Sequence, residues 1–161
     1  MIRGYEPSRH RGQLRACVVE LQDFERGLEP TLPKGEAMAD RYLAHVLDRC
    51  AGGAGRIFVS EENGAVVGFV GVLARVVPEP DEAQAYAYVS DLVVLPAYRR
   101  RGIGSALVNA LALCATSLGI ETLYLGTDNP TFYHRLGAKL HEQVTDNFAI
   151  LKLQTGVRLP A

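Results

Sequence analysis

Tyr88-Val89-Ser90-Asp91-Leu92-Val93-Val94-Leu95-Pro96-Ala97-Tyr98-Arg99-Arg100-Arg101-Gly102-Ile103-Gly104-Ser105-Ala106-Leu107 is the stretch on which the fold turns. Its first half is an apolar extended run that stops at Pro96. Its second half opens a helix at Gly102, with Ile103, Leu107, Ala110, Leu111, Cys114 and Leu118 on one stripe. At such a strand-to-helix junction the first N–H groups of the helix lack intrahelical partners, and the helix dipole adds partial positive charge. Gly102 and Gly104 remove Cβ atoms that would hinder close approach, and Arg99, Arg100 and Arg101 add charge. The expected ligand is an anion, most naturally a diphosphate. No Gly-Lys-Ser/Thr closes the turn, so it is not a P-loop, and Leu107 stands where a dinucleotide fingerprint has its third glycine. On this stretch alone, a solvated basic turn capping an ordinary helix remains the alternative.

Outward from it, hydrophobic period separates helices from strands. Residues 1–5 read as a short strand. Leu14, Cys17, Val18, Leu21, Phe24 and Leu28 repeat at helical spacing up to Pro30. A second helix carries Met38, Tyr42, Leu43, Val46, Leu47 and Cys50, and Gly52-Gly53 ends it. The extended runs 57–60 and 66–73 flank Asn63-Gly64, a strong hairpin signal. After the decisive stretch come a strand at 122–125, a short helix at 130–136, and closing strands at 140–145 and 148–153. This order implies a mixed α/β domain spanning 1–161, with helices packed on a central sheet.

Composition excludes several classes. Apolar residues are 48% and charged residues 22%, which fits a folded globular chain. Seventeen Lys plus Arg balance eighteen Asp plus Glu, so a dedicated nucleic-acid binder is not expected. Cys17, Cys50 and Cys114 are odd in number, far apart and set in apolar stretches, where buried thiols are expected. His10, His45 and His141 lack metal-ligand spacing, so no metal is expected, and His134 is expected at the surface. No apolar run approaches the ~20 residues of a membrane helix, and no signal-peptide core is visible. A cytoplasmic location, without nucleic acid or membrane as partner, is the expectation.

Two blocks together carry a resemblance. Arg99-Arg100-Arg101-Gly102-Ile103-Gly104, preceded by Leu92-x-Val94-x-Pro96, resembles the Arg/Gln-x-x-Gly-x-Gly/Ala hallmark of the GNAT superfamily of N-acetyltransferases. Phe132-Tyr133-His134-Arg135-Leu136-Gly137 is similar to the family's Phe-Tyr-x-x-Leu-Gly-Phe block. The resemblance covers about 57–153, while 1–56 fits only in its order of elements. It implies a mostly antiparallel sheet of about seven strands, flanked by about four helices and splayed between strands 4 and 5.

It also implies acetyl-CoA as co-substrate, bound through segments 86–118 and 122–137. The pyrophosphate would lie on Arg99, Arg100, Arg101, Gly102, Ile103, Gly104 and Ser105. The pantetheine would run along the backbone of Leu92, Val93 and Val94. An amine would attack the thioester directly, with Tyr133 protonating the departing thiolate. Asp91, its side chain expected opposite to those of Ser90 and Leu92, is the candidate base, directly or through water; a structural carboxylate is the alternative. Asn129 is a candidate pantetheine contact, although Asn129-Pro130 reads more naturally as a helix cap. Ser90 stands where polyamine-acetylating relatives carry a first carboxylate, and Ala138 replaces the last aromatic. A non-catalytic acyl-CoA-binding module is therefore the alternative function, and a homodimer is a family-level expectation. The acceptor pocket is expected from residues 24–45 and 78–85. Residues 1–50 hold eight acids and eight bases, so the acceptor's charge stays open.

Overall fold

The computed structural model describes residues 1–52, 55–76 and 86–156, with 72–76 and Tyr86 as backbone only. The 78–85 loop expected to border the acceptor lies outside the described residues. In chain order the elements are β1 (Ile2–Gly4), α1 (Pro7–Leu28), α2 (Gly35–Ala51), β2 (Gly55–Glu62), β3 (Ala65–Val76) and β4 (Tyr86–Val94). A single 3-10 turn, Pro96–Tyr98, precedes α3 (Ile103–Ser117), β5 (Thr122–Thr127), α4 (Pro130–Arg135), β6 (Lys139–Thr145) and β7 (Phe148–Gln154). Among the described residues the strands form one sheet in the order β1-β2-β3-β4-β5-β7-β6. Every neighbouring pair is antiparallel except β4 with β5. The β2–β3 hairpin turns on Asn63 and Gly64, both at positive φ, as an Asn-Gly pair favours.

Apolar stripes place the helices. Leu14, Cys17 and Val18 of α1 and Ala39, Leu43 and Val46 of α2 bury against Ile57, Val59, Phe69 and Val93 on one sheet face. Leu107, Val108 and Leu111 of α3 bury against Val70, Val89, Leu123, Leu125 and Leu151 on the other. Cys17 is fully buried as expected, whereas Cys50 and Cys114 are only half-buried.

The α1–α2 crossing is close. A Cβ on Gly35 would lie 2.5 Å from the Val19 carbonyl, and the Gly35 N–H donates to Asp23 Oδ1 at 2.7 Å. That contact fixes where α2 presents its side chains. At the far end of the sheet, His10 is fully buried and accepts from the Glu6 N–H at Nδ1, so its Nε2 carries the proton facing Glu61 at 3.0 Å. Arg3 and Arg9 pair with the same carboxylate at 2.7 and 2.8 Å, anchoring the start of the chain to β2.

Candidate active site

The splay expected between β4 and β5 is present. Their parallel pairing runs from Tyr86↔Thr122 to Val89↔Leu125 and goes no further. Beyond it β4 pairs only with β3, through Asp91, Leu92, Val93 and Val94. The β5-facing edge of Leu92–Val94 thus has no strand across from it among the described residues. Unpaired N–H and C=O groups there are free to bond an amide-bearing chain laid along the edge.

A bulge corrects the expected side-chain alternation. Gly71 pairs with Asp91 but Val72 pairs with Val89, so Ser90 is the extra residue. Before it, Ala87 and Val89 face α3; after it, Leu92 and Val94 face α3 while Val93 faces α1 and α2. Ser90 and Asp91 therefore share a side. The Ser90 Oγ and Asp91 Oδ2 lie 3.0 and 3.6 Å from where a Gly71 Cβ would stand. A larger residue at 71 would crowd the Ser90 hydroxyl.

Asp91 is 6% exposed. Its Oδ1 accepts from the Tyr42 hydroxyl of α2, whereas its Oδ2 and the Ser90 Oγ are buried without a hydrogen-bond partner. Burial pushes the Asp91 carboxyl above the usual carboxylate range, against the pull of Tyr42 and the neighbouring Ser90 hydroxyl. The same burial and the Asp91 charge push the Tyr42 phenol up, so Tyr42 keeps its proton.

At the end of β4 the chain makes the expected anion-binding turn. Arg100 has φ 65° and Gly102 φ 78°, and the first helical bond of α3 runs from the Ala106 N–H to the Gly102 carbonyl at 3.0 Å. The N–H groups of Ile103, Gly104 and Ser105 precede that bond, in the position of a helix-start anion cradle. A Cβ on Gly102 would meet open space, but its φ favours glycine; a Cβ on Gly104 would stand 3.2 Å from the Phe132 ring. Gly104 thus leaves room for the Phe132 ring of α4. The arginine side chains are partly engaged: Arg99 donates to the Val94 carbonyl and to Glu20, each at 2.8 Å, and Arg101 pairs with Glu62 at 3.1 Å. Arg100 makes no hydrogen bond or ion pair among the described residues. Gly102→Ala should cost about 1–2 kcal/mol of left-handed strain in the folded state, read as a lowered Tm in thermal denaturation.

Tyr133 enters from α4, where its ring meets Phe132 edge-on at 4.8 Å. It is 8% exposed and packs in the α3-side core. Gly137, at φ 93°, ends the helix, and the Ala138 N–H bonds back to the Tyr133 carbonyl at 3.0 Å. Burial, reinforced by the Asp128 charge, pushes the phenol up. Asn129 is the exposed N-cap residue of α4 with Pro130 in its first turn, as the sequence suggests, but its side chain makes no cap bond; its N–H donates to Thr127 Oγ1 at 2.9 Å.

With this geometry in place, the likeness to known proteins is specific. The model of the acetyltransferase (GNAT) family matches residues 20–138. The chain belongs to that family. This acetyltransferase is 29% identical over 137 residues to the glucosamine 6-phosphate N-acetyltransferase of Trypanosoma brucei brucei, covering 81% of the chain and 92% of the relative. It is 32% identical over 124 residues to an uncharacterised N-acetyltransferase of Methanocaldococcus jannaschii, covering 74% of the chain but only 53% of that relative. Its fold matches the Paia N-acetyltransferase of Thermoplasma acidophilum in complex with coenzyme A, with TM-score 0.75, 14% identity, and 96% and 98% of the two chains covered. The chain is thus an N-acetyltransferase, and the open β4 edge and the α3 turn fit acetyl-CoA as its co-substrate. Among the described residues no helix is long and apolar enough to cross a membrane.

The fold brings residues to this acetyltransferase site that the sequence reading missed. Tyr42 and Ser90 touch Asp91 or flank it. A cavity of about 320 Å³ lined by Met38, Arg41, Tyr42 and His45 opens beside Tyr42. Tyr42, which touches Asp91 and lines that cavity, lies within the 24–45 segment.

Proposed function

We propose that the protein transfers the acetyl group of acetyl-CoA to a primary amine by direct attack, with Asp91 receiving the amine proton and Tyr133 supplying a proton to the thiolate. The observation that carries this reading is the buried, unpartnered Asp91 Oδ2 beside the splay. A buried polar atom without a partner is costly, and a bound amine N–H supplies one.

The magnitudes support the division of roles. A primary amine has a pKa near 10.4, so reaching its free base at pH 7 costs about 4–5 kcal/mol. A carboxylate raised by burial is a better base than an ordinary one. As the C–N bond forms and the C–S bond breaks, the nitrogen loses its proton to Asp91 and the sulfur gains one from Tyr133. An aqueous thiol near 8.5 and a phenol near 10 are a close match; the buried Tyr133 is a weaker acid than that. A thiolate departing into the same apolar surroundings becomes more basic too, which restores the driving force. The backbone of Leu92–Val94 and the α3 turn, with Arg99, Arg100, Arg101 and Ser105, position the co-substrate, and Asn129 at the start of α4 is a further pantetheine contact.

The test is CoA-thiol release from acetyl-CoA across a panel of amines, amino acids, amino sugars and peptides. Acceptor-dependent release well above the hydrolysis blank is expected. Release that no amine accelerates, with acetyl-CoA still raising the Tm, would overturn the proposal in favour of a binding module.

A further inference from the structure

Tyr42 stands at two places at once. Its ring lines the cavity of about 320 Å³ with Met38, Arg41 and His45, and its hydroxyl donates to Asp91 Oδ1. The bond ties α2, which walls the cavity, to the stretch of β4 that borders the splay. Where α2 presents Tyr42 is fixed by its close crossing of α1 at Gly35.

This hydrogen bond makes the two carboxylate oxygens unequal. The terminal torsion of an aspartate is broad and nearly two-fold, so the side chain itself does not choose between Oδ1 and Oδ2. The Tyr42 hydroxyl chooses Oδ1. Oδ2 is left buried without a partner, 3.6 Å from where a Gly71 Cβ would stand. Ser90 Oγ, also buried without a partner, borders the same space and would compete for a carboxylate freed from Tyr42.

We propose that Tyr42 is the positioning residue for Asp91: it holds Oδ1 from the cavity wall so that Oδ2 alone meets the reacting nitrogen. This rests on the amine-acetylation reading, in which Asp91 takes the amine proton. Tyr42 itself transfers no proton. Burial, with the charges of Asp91 and Glu25, keeps its phenol protonated, and Arg41 and His45 stand beside it in the cavity wall. The ring against which an acceptor in the cavity packs thereby carries the hydroxyl that aims the base. A donated hydrogen bond also favours the ionised carboxylate, partly offsetting the burial that raises Asp91. Its loss should raise that carboxyl further.

Tyr42→Phe keeps the ring and removes the donor alone. The first readout is the NMR titration of the Asp91 carboxyl carbon, its signal assigned by its absence in Asp91→Asn. In Tyr42→Phe the midpoint should move up by about one pH unit or more, as loss of a charged hydrogen bond gives. The second readout is amine acetylation. The acid limb of kcat should move up with that midpoint. On the plateau above it kcat should fall about tenfold, with the acceptor KM within about twofold. A tyrosine that merely packed would leave the midpoint where it was. An unmoved midpoint, or an unchanged plateau kcat with a raised acceptor KM, would overturn the proposal. Failure of the acetylation reading looks different: the midpoint would move while no amine accelerates thiol release.

Discussion

Tyr133→Phe should lower kcat about a hundredfold while the Kd for acetyl-CoA stays within about twofold. The substitution removes one oxygen and leaves the ring that meets Phe132 at 4.8 Å, so the α3-side core keeps its packing. What is lost is the proton donor for the thiolate. Burial pushes that phenol up, so it stays protonated through neutral pH and sets no basic limb on the rate below pH ~10. A Phe variant with unchanged kcat and a raised Kd would assign Tyr133 to binding alone.

Asp91→Asn should reduce kcat at saturating acceptor by about a hundredfold or more, with the fold intact. Asparagine keeps an oxygen to accept from Tyr42 and fits over Gly71, but it cannot take a proton. The pH profile separates base from scaffold. Asp91 must be ionised to act, and its pKa is raised, so wild-type kcat should fall as pH drops through a value above the usual carboxylate range. In Asp91→Asn that acid limb should vanish. A variant with a low rate but the same acid limb would move the base elsewhere.

How much of this could be read in advance depended on range. The Arg99–Gly104 and Phe132–Gly137 blocks are local, because helix starts and helix ends are set by neighbours in sequence. Gly102 and Gly137 both sit at positive φ where the motifs place them. The splay followed from the family likeness and is visible in the early end of β4–β5 pairing. The bulge at Ser90 was not legible: it depends on register against β3, and strict alternation put Asp91 on the wrong side of its neighbour. A glycine at 71, opposite a polar pair in an apolar strand, was the one available hint. Tyr42 is far from Asp91 in sequence and reaches it only through packing, where Gly35 lets α2 cross α1 closely. Arg99 and Arg101 looked like free phosphate ligands, yet Glu20 and Glu62 reach them across the fold.

The most direct test follows an isotopic acetyl label from acetyl-CoA, with and without an active amine, by mass spectrometry of the intact protein and of the small molecules. Direct transfer predicts label on the amine in step with thiol released, and none on the protein in either condition. Label accumulating on the protein before acceptor is added, and passing from there to the amine, would contradict it.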